Sequence, residues 1–470
     1  MKGRSVTLEE VLAAKENRKK RQREFQKKYP GTMVSITLNV PGAVKDTPLL
    51  RRLRDFAAGQ VRTQFATVAE EQFNPATGPE ALLAVAGEGW PVKDAAVEVE
   101  EHFAFSRLLD IDVFDPSGML LSRRDKGKER TCFICGGQFV LCRREGRHTP
   151  EELLAVVEKL LHAFRAYESR WISVAAEKIG ALATEAMLYE VTCTPSPGLV
   201  DRVNSGAHDD MDFYSFMASS AALGNTMNRC AQAGILHHDD IVTLLPVLRV
   251  VGLEGEKTML AATEGVNTQK GLLFLLGIMA GVAGWLRARA LPLTAEAILK
   301  NAASMVRGIV EKELAGAADK DPAQWTAGER LYVAYGVTGI RGELAAGLPT
   351  VQDRALPALQ KALGGGLSVN DSLIHTLLLL MTCVEDTTVM HRHHPDKMRI
   401  WVREEAQRVI AAGGMETQEG RRLCQELDDR FIAENVSPGG AADLLAVTWF
   451  LYRVSSLSQD PGEDSNRRFC

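Results

Sequence analysis

The sequence predicts a two-part chain: an α+β domain over residues 1–165, followed by a larger all-α domain over residues 166–470. Three observations carry this reading. Two short runs in the first third alternate apolar and polar residues, the period of a strand with one buried face. From residue 149 onward that alternation gives way to long Ala- and Leu-rich helical patterns, as around Leu331, Leu377 and Leu444. A chain of 470 residues also has room for two or three cores of ordinary size.

The elements follow in order. Thr7-Leu8-Glu9-Glu10 has the form of a capping box and opens a basic helix that runs to about Lys28. In residues 33–40, Val34, Ile36, Leu38 and Val40 share one face while Ser35, Thr37 and Asn39 share the other. This predicts a half-buried strand, closed by Pro41-Gly42. Leu109, Ile111 and Val113 alternate in the same way with Asp110 and Asp112. Thr149-Pro150-Glu151-Glu152 supplies a cap, a proline at the first helical position and a box glutamate, ahead of the amphipathic segment EELLAVVEKLLHAFRAYE. The longest apolar run, residues 271–286, is shorter than the roughly 20 residues a bilayer span needs and is rich in glycine. It reads as a buried core helix. Residues 458–470 read as a disordered tail.

Composition narrows the function classes. A net charge of −5 argues against a nucleic-acid-binding protein. Eight cysteines, with no apolar secretory segment near the N-terminus, suit reduced cytoplasmic thiols or a metal site rather than a disulfide framework. The expectation is a cytoplasmic enzyme with small-molecule substrates, acting on neither nucleic acid nor membrane.

Two clusters in the first domain carry chemistry. Asp110 and Asp112 stand at i and i+2 of a strand, so their carboxylates leave one face roughly 6.5–7 Å apart. Such a pair can hold Mg²⁺ against a triphosphate, or it can be the solvated face of an edge strand. Cys132, Cys135, Cys142 and His148 offer three thiols and an imidazole at short spacing. They could close a tetrahedral Zn²⁺ site, or they could be reduced cysteines with His148 touching a phosphate or serving as a base.

This third of the chain resembles the citrate lyase holo-acyl-carrier-protein synthases, which transfer the prosthetic group. The resemblance runs through Asn39-Val40-Pro41-Gly42 with Lys45, Thr77-Gly78-Pro79-Glu80, Pro91-Val92-Lys93, residues 107–113 and residues 130–148. It implies a nucleotidyltransferase-like domain and attack of a carrier-protein serine on the α-phosphate of a triphosphoribosyl precursor, with release of pyrophosphate. It implies Asp110 and Asp112 as catalytic metal ligands, and Lys45, Lys93, Arg107, Arg123, Arg124 and His148 as phosphate or substrate contacts. The Gly-Ser loop that precedes such aspartates in many nucleotidyltransferases is missing from this sequence.

The second domain opens with residues 195–212, PSPGLVDRVNSGAHDDMD, which hold four carboxylates, a His and an Arg with little apolar content. Unpaired charges cost several kcal/mol to bury, so the segment is expected to face a polar ligand, a metal or water. From about residue 170 to 452 the chain resembles triphosphoribosyl-dephospho-CoA synthases. The matching runs are Glu190 with residues 195–212, residues 265–271 (GVNTQKG), residues 338–343 (TGIRGE), residues 385–389 (EDTTV), and Ser437-Pro438-Gly439-Gly440 with Asp443. The implied reaction joins ATP to 3'-dephospho-CoA: the ribose 2'-hydroxyl displaces adenine from C1'. Positive charge then develops on a ribose ring, as in glycoside hydrolysis, and calls for carboxylates, a base and an acid.

The resemblance makes Glu190, Asp201, Asp209 and Asp212 catalytic candidates, with Asp210 beside them as a carboxylate for Mg²⁺. It makes Arg202, His208, Asn267, Thr268, Lys270, Arg341, Glu343 and Asp386 substrate contacts. Plainer readings stand beside these. Asp212 can be the N-cap of the helix starting at Phe213, and Asn267-Thr268 can be a cap without a ligand. His208 can be a loop histidine, and His391, His393 and His394 a solvated loop. Ser196, Gln269 and Thr388 depart from the family pattern, which has Lys, His and Asn there. The overall expectation is a fused enzyme that makes the citrate lyase prosthetic-group precursor and attaches it to the acyl-carrier subunit. The alternative is a carrier-binding assembly factor whose synthase half has lost turnover.

Overall fold

The structure, a computed structural model, describes residues 3–458 apart from 128, 129, 133, 315 and 318–320. Apart from Ser458, the tail expected to be disordered lies outside the described residues. The chain divides into two compact units, Met1–Trp171 and Ile172–Cys470.

The first unit runs α1 (Leu8–Lys28), β1 (Thr32–Leu38), α2 (Pro48–Gln64), β2 (Thr67–Phe73), β3 (Glu80–Val85), α3 (Gly89–His102), β4 (Leu109–Phe114), β5 (Leu120–Leu121) and α4 (Phe139–Glu145). It also holds the first part of α5 (Pro150–Thr192). The expected capping boxes open α1 at Thr7 and α5 at Thr149. The strands form one antiparallel sheet in the order β2-β3-β1-β4-β5. Val34 and Ile36 of β1, with Leu109, Ile111 and Val113 of β4, face a core completed by Leu50 and Leu53 of α2, Val92 and Ala96 of α3, and Leu161 and Phe164 of α5.

One expectation changes here. β1 is buried on both faces rather than half-buried, because the basic helix α1 covers the second face, with Phe25 packed against Met33, Leu82 and Ala84. The basic residues of α1 are spent partly inside the unit: Arg18 and Arg21 both pair with the buried Glu80 of β3.

The second unit begins with the rest of α5 and is helical: α6 (Phe213–Leu236), α7 (Leu245–Ala262), α8 (Lys270–Ala288), α9 (Ala295–Met305), α10 (Ile309–Glu313) and α11 (Ala327–Tyr335). There follow α12 (Gly339–Ala345), α13 (Leu356–Gly364), α14 (Val369–Met381), α15 (Thr387–Arg392), α16 (Arg403–Ala411), α17 (Gln418–Ala433) and α18 (Gly439–Val454). The apolar run forms α8, whose 19 residues are long and apolar enough to cross a bilayer on length and composition. Within the unit, however, α8 is buried and packs against α6, α7, α9 and α18. Its glycines explain themselves there. A Cβ on Gly284 would lie 2.1 Å from the Ala231 carbonyl oxygen, and one on Gly234 of α6 only 1.8 Å from that of Gly281. The glycines let two helix backbones touch, which is a demand of core packing.

Candidate active sites

In the first unit, strand register places Asp110 opposite Thr37 and Asp112 opposite Ser35 of β1, on the sheet face that also carries α1. The core face takes Leu109, Ile111 and Val113, so the two carboxylates are held on the other side together, as the i, i+2 spacing requires. Burial, and then the charge of Asp110, push the Asp112 carboxyl up to about 6, against the pull of Lys93. Arg130 lies 2.9 Å from Asp110 Oδ1.

The cations expected to hold phosphate are largely engaged elsewhere. Lys93 is buried and donates to the Ile111 carbonyl at 2.9 Å, with burial lowering its pKa. The Ile111 N–H donates to buried Glu100 at 2.7 Å, and Arg123 and Arg130 both pair with that same Glu100. The edge of β4 is therefore braced by α3 side chains where a neighbouring strand would otherwise pair, and Lys93 and Arg123 belong to that brace. Arg107 donates to the carbonyl and hydroxyl of Thr131 at 2.6 and 2.8 Å. Half-buried Lys45 donates to the Val40 carbonyl, while Arg124 is exposed.

His148 stands in a cluster with Cys132, Cys135 and Cys142, whose ligand atoms all lie within 4.8 Å of one another. Cys135 and Cys142 are 3.4 Å apart, Sγ to Sγ. The Gly137 N–H, followed by Cys142 and His148, draws the Cys135 thiol down to about 6.

In the second unit the acid-rich loop folds onto itself. Asp201 is buried and accepts from the N–H groups of Ser196, Val203 and Asn204 at 3.2, 2.7 and 3.0 Å. Asp428 of α17 accepts from the Gly198 N–H and from Asn204 Nδ2 at 2.9 and 3.0 Å. The charge of Asp201 is thus satisfied by the loop's own backbone, while Asp209 and Asp210 face water. Asp209 is exposed and Asp212 caps α6 through the Ser215 N–H at 2.8 Å. Arg202, also exposed, reaches only Asn370, and Arg341 pairs with Glu313 at 2.7 Å. None of Asp201, Asp209, Asp212, Arg202 or Arg341 lines the cavity of this unit that Glu190 and His208 line.

That cavity, of about 590 Å³, is lined by Glu190, His208, Asn267, Thr268, Lys270 and Glu343 among the expected residues. Glu190 sits near the end of α5, and burial pushes its carboxyl up to about 8. Asp443 of α18 lies beside the first turn of α8: a Cβ on Gly271 would fall 2.2 Å from its Oδ2. Burial, and then the charges of Glu190 and Asp386, raise Asp443 well above the usual carboxylate range. Two carboxyl groups that burial keeps reluctant to ionise thus share one cavity.

Around them, Thr268 donates to Ser219 at 2.8 Å, and Gln269 Oε1 accepts from Ser219 and Ser220. Gln269 Nε2 is buried without an acceptor. Asn267 Oδ1 accepts from the Lys270 N–H, capping α8, and Lys270 Nζ pairs with Glu256 at 2.5 Å. Burial and the Arg392 charge lower the pKa of His208. Arg392 stands 3.2 Å from His208 Nδ1 and 3.4 Å from Nε2, and Nε2 is 2.9 Å from Ser437 Oγ. Asp386, expected to touch substrate, is instead fully buried behind the wall. It accepts from the Thr388 and Val389 N–H groups of α15 and from the Ala441 N–H of α18.

Comparison with known proteins gives this geometry its family. Residues 176–461 match the family described as ATP:dephospho-CoA triphosphoribosyl transferase, and residues 6–164 match apo-citrate lyase phosphoribosyl-dephospho-CoA transferase. The chain belongs to both families, fused. Protein CitXG of Leuconostoc mesenteroides subsp. cremoris is 32% identical over 463 residues, covering 96% of this chain and 98% of its own. A probable 2-(5''-triphosphoribosyl)-3'-dephosphocoenzyme-A synthase of Vibrio cholerae is 42% identical over 280 residues, 59% of this chain and 88% of its own. The synthase of that name from Pectobacterium atrosepticum is 42% identical over 271 residues, 57% of this chain and 86% of its own. The protein is a transferase of citrate lyase prosthetic-group biosynthesis.

The synthase unit adds residues that the sequence did not single out as site residues. Asp443 is one, although it stood inside a quoted motif; Arg392 and Ser437, which hold His208, are others. Of the three departures, Gln269 and Thr388 line the synthase cavity. Ser196 is buried outside it and donates to the Cys193 carbonyl at 2.8 Å.

Proposed function

We propose that the synthase unit joins ATP to 3'-dephospho-CoA with release of adenine. The transferase unit then attaches the product to a serine of the citrate lyase acyl-carrier subunit with release of pyrophosphate. The observation that carries the first half is the Glu190–Asp443 pair in the cavity. Mutual repulsion separates the two ionisations of such a pair, so that one member can be a carboxylate while the other remains an acid.

The ionised member takes the proton of the ribose 2'-hydroxyl as that oxygen bonds to C1' of ATP. The bond from C1' to adenine breaks, and the protonated member supplies a proton to the departing base. The remaining negative charge stabilises the cationic ribose ring. Gln269 Nε2, buried with no protein acceptor, is a donor for ribose or base. The first turn of α8, with N–H groups that have no acceptor inside the helix, and Lys270 favour the triphosphate.

In the transferase unit, the carrier serine oxygen bonds to the α-phosphorus as the bond to the pyrophosphate oxygen breaks. Asp110 and Asp112 offer the hard oxygen donors that suit magnesium, which supplies charge neutralisation of the triphosphate when bound. Arg130 steadies Asp110, and Arg107 lies one turn before the pair.

The test is mass spectrometry of the purified acyl-carrier subunit after incubation with this protein, ATP, Mg²⁺ and 3'-dephospho-CoA. A mass gain equal to phosphoribosyl-dephospho-CoA, with adenine released, is expected. Adenine without a mass gain would overturn the transfer half. A gain only with preformed triphosphoribosyl-dephospho-CoA would overturn the synthase half.

A further inference from the structure

The Cys132, Cys135, Cys142 and His148 cluster takes no part in either reaction described above, and its four side chains come from three segments. Cys132 and Cys135 lie in a tight turn closed by the Thr131–Gln138 bridge and by the Cys132 N–H bond to the Gly137 carbonyl at 2.6 Å. Cys142 comes from α4, and His148 precedes the cap of α5. The ligand atoms lie within 4.8 Å of one another. Four ligands tetrahedral about one Zn²⁺, with bonds of about 2.3 Å to sulfur, stand about 3.8 Å apart, sulfur to sulfur.

The surroundings suit thiolates. Isolated cysteines elsewhere act as donors: Cys193 to the Tyr189 carbonyl at 2.9 Å, Cys383 to the Leu379 carbonyl at 3.5 Å. In the cluster the direction reverses, and the Ile134 N–H points at Cys132 Sγ at 3.5 Å. His148 Nε2 is buried with no hydrogen-bond partner, an expensive arrangement for a polar atom unless something else occupies it.

We propose that these four residues bind one structural Zn²⁺, and that the ion fixes the arginines of the transferase site. The link is short in sequence and in space. Arg130 adjoins the turn directly, its carbonyl accepts from the Phe139 N–H at 3.3 Å, and its guanidinium holds Asp110 at 2.9 Å. Arg107 is anchored on Thr131, the residue before Cys132. Metal closure of the turn sets where both arginines stand. They are positioning residues, and the zinc acts through them.

The second half of the inference rests on the transferase reading; the first half does not. The experiment is elemental analysis of the full chain purified without chelator, with Co²⁺ substitution as a spectroscopic check. About one zinc per chain and a tetrahedral cobalt–thiolate spectrum are expected. Cys135→Ser, at the exposed ligand, and His148→Ala each lose most of the metal. Removing zinc with a thiol-reactive mercurial and dithiothreitol lowers transfer of preformed precursor at least tenfold and leaves adenine release unchanged, and added Zn²⁺ restores it. Zinc-free protein with no tetrahedral cobalt spectrum, a Cys135–Cys142 disulfide in its place, or metal retained by both variants would overturn the site. Full transfer by zinc-free protein would overturn its positioning role. Bound zinc with no transfer by the wild-type chain would leave the site standing and sink the transferase reading instead.

Discussion

The two units place their carboxylates in opposite ways. In the transferase unit Asp110 and Asp112 are neighbours in sequence, stand on one strand, and are surrounded by cations that brace the strand. In the synthase unit Glu190 and Asp443 lie some 250 residues apart and meet only where α5 and α18 come together at the cavity. The acid-dense loop nearer in sequence to Glu190 does not supply the second carboxyl. On the proposed reading, local density of charge marks the site in the first unit and the scaffold in the second. The difference is one of satisfaction: Asp201 is bonded to three backbone N–H groups, whereas burial alone sets the state of Glu190.

The sharpest way to break this contrast is to neutralise one carboxyl in each unit. Glu190→Gln or Asp443→Asn is expected to cut adenine release by about 10²–10⁴-fold, with transfer of preformed precursor unchanged. Asp112→Asn is expected to do the reverse, costing transfer about 10³-fold, the equivalent of several kcal/mol of lost metal binding. Coupled assays of adenine and of carrier mass read both at once. Loss of adenine release from Asp112→Asn would remove the division of labour.

A second test separates scaffold from site. Asp201→Ala leaves three backbone N–H groups, that of Ser196 buried, without their acceptor and is expected to destabilise the synthase unit by about 2 kcal/mol. Adenine release should then fall with the folded fraction and recover on cooling. An undiminished melting temperature with activity abolished would return Asp201 to the chemistry.

The third concerns pH. The folded-state pKa of Glu190, about 8, lies above the ordinary carboxylate value of about 4.3. Between those values the folded state keeps a proton that the unfolded state has lost, so this group's contribution makes stability fall as pH rises through that window. Glu190→Gln removes the penalty and is expected to stabilise the substrate-free protein at pH 9 by several kcal/mol, with adenine release cut as above. Thermal unfolding at pH 5 and pH 9 checks the sign; most of the gain should be gone at pH 5. The smallest effects belong to the loop's exposed acids. Asp212→Ala should cost about 1 kcal/mol as a lost cap, and Asp209→Ala should change adenine release less than about twofold.

Much of the architecture could be read from local pattern. Thr7 and Thr149 announced their helices because capping is a contact three residues long, and Asp110 and Asp112 announced a shared face because strand period is local. What pattern could not give was partnership across the chain. Nothing beside Lys93 or Arg123 in sequence reveals that Ile111 and Glu100 would claim them. The burial of β1 on both faces depended on α1, whose basic composition suggested a solvent role. Asp443 stood in a recognised motif, yet its standing as the second carboxyl depends on Gly271, more than 170 residues earlier, leaving it room.

Asp386 has a further bearing on how the synthase cavity moves. One carboxylate ties the first amides of α15 to the first turn of α18, and both helix starts, at Thr387, Thr388, Gly439 and Gly440, form part of the cavity wall. With their dipoles converging on a single internal anion, the two segments are yoked. That side of the cavity is expected to behave as one stiff plate, so any closure around a bound ligand would come from the opposite wall, and the amides of Thr388, Val389 and Ala441 should exchange their hydrogens together.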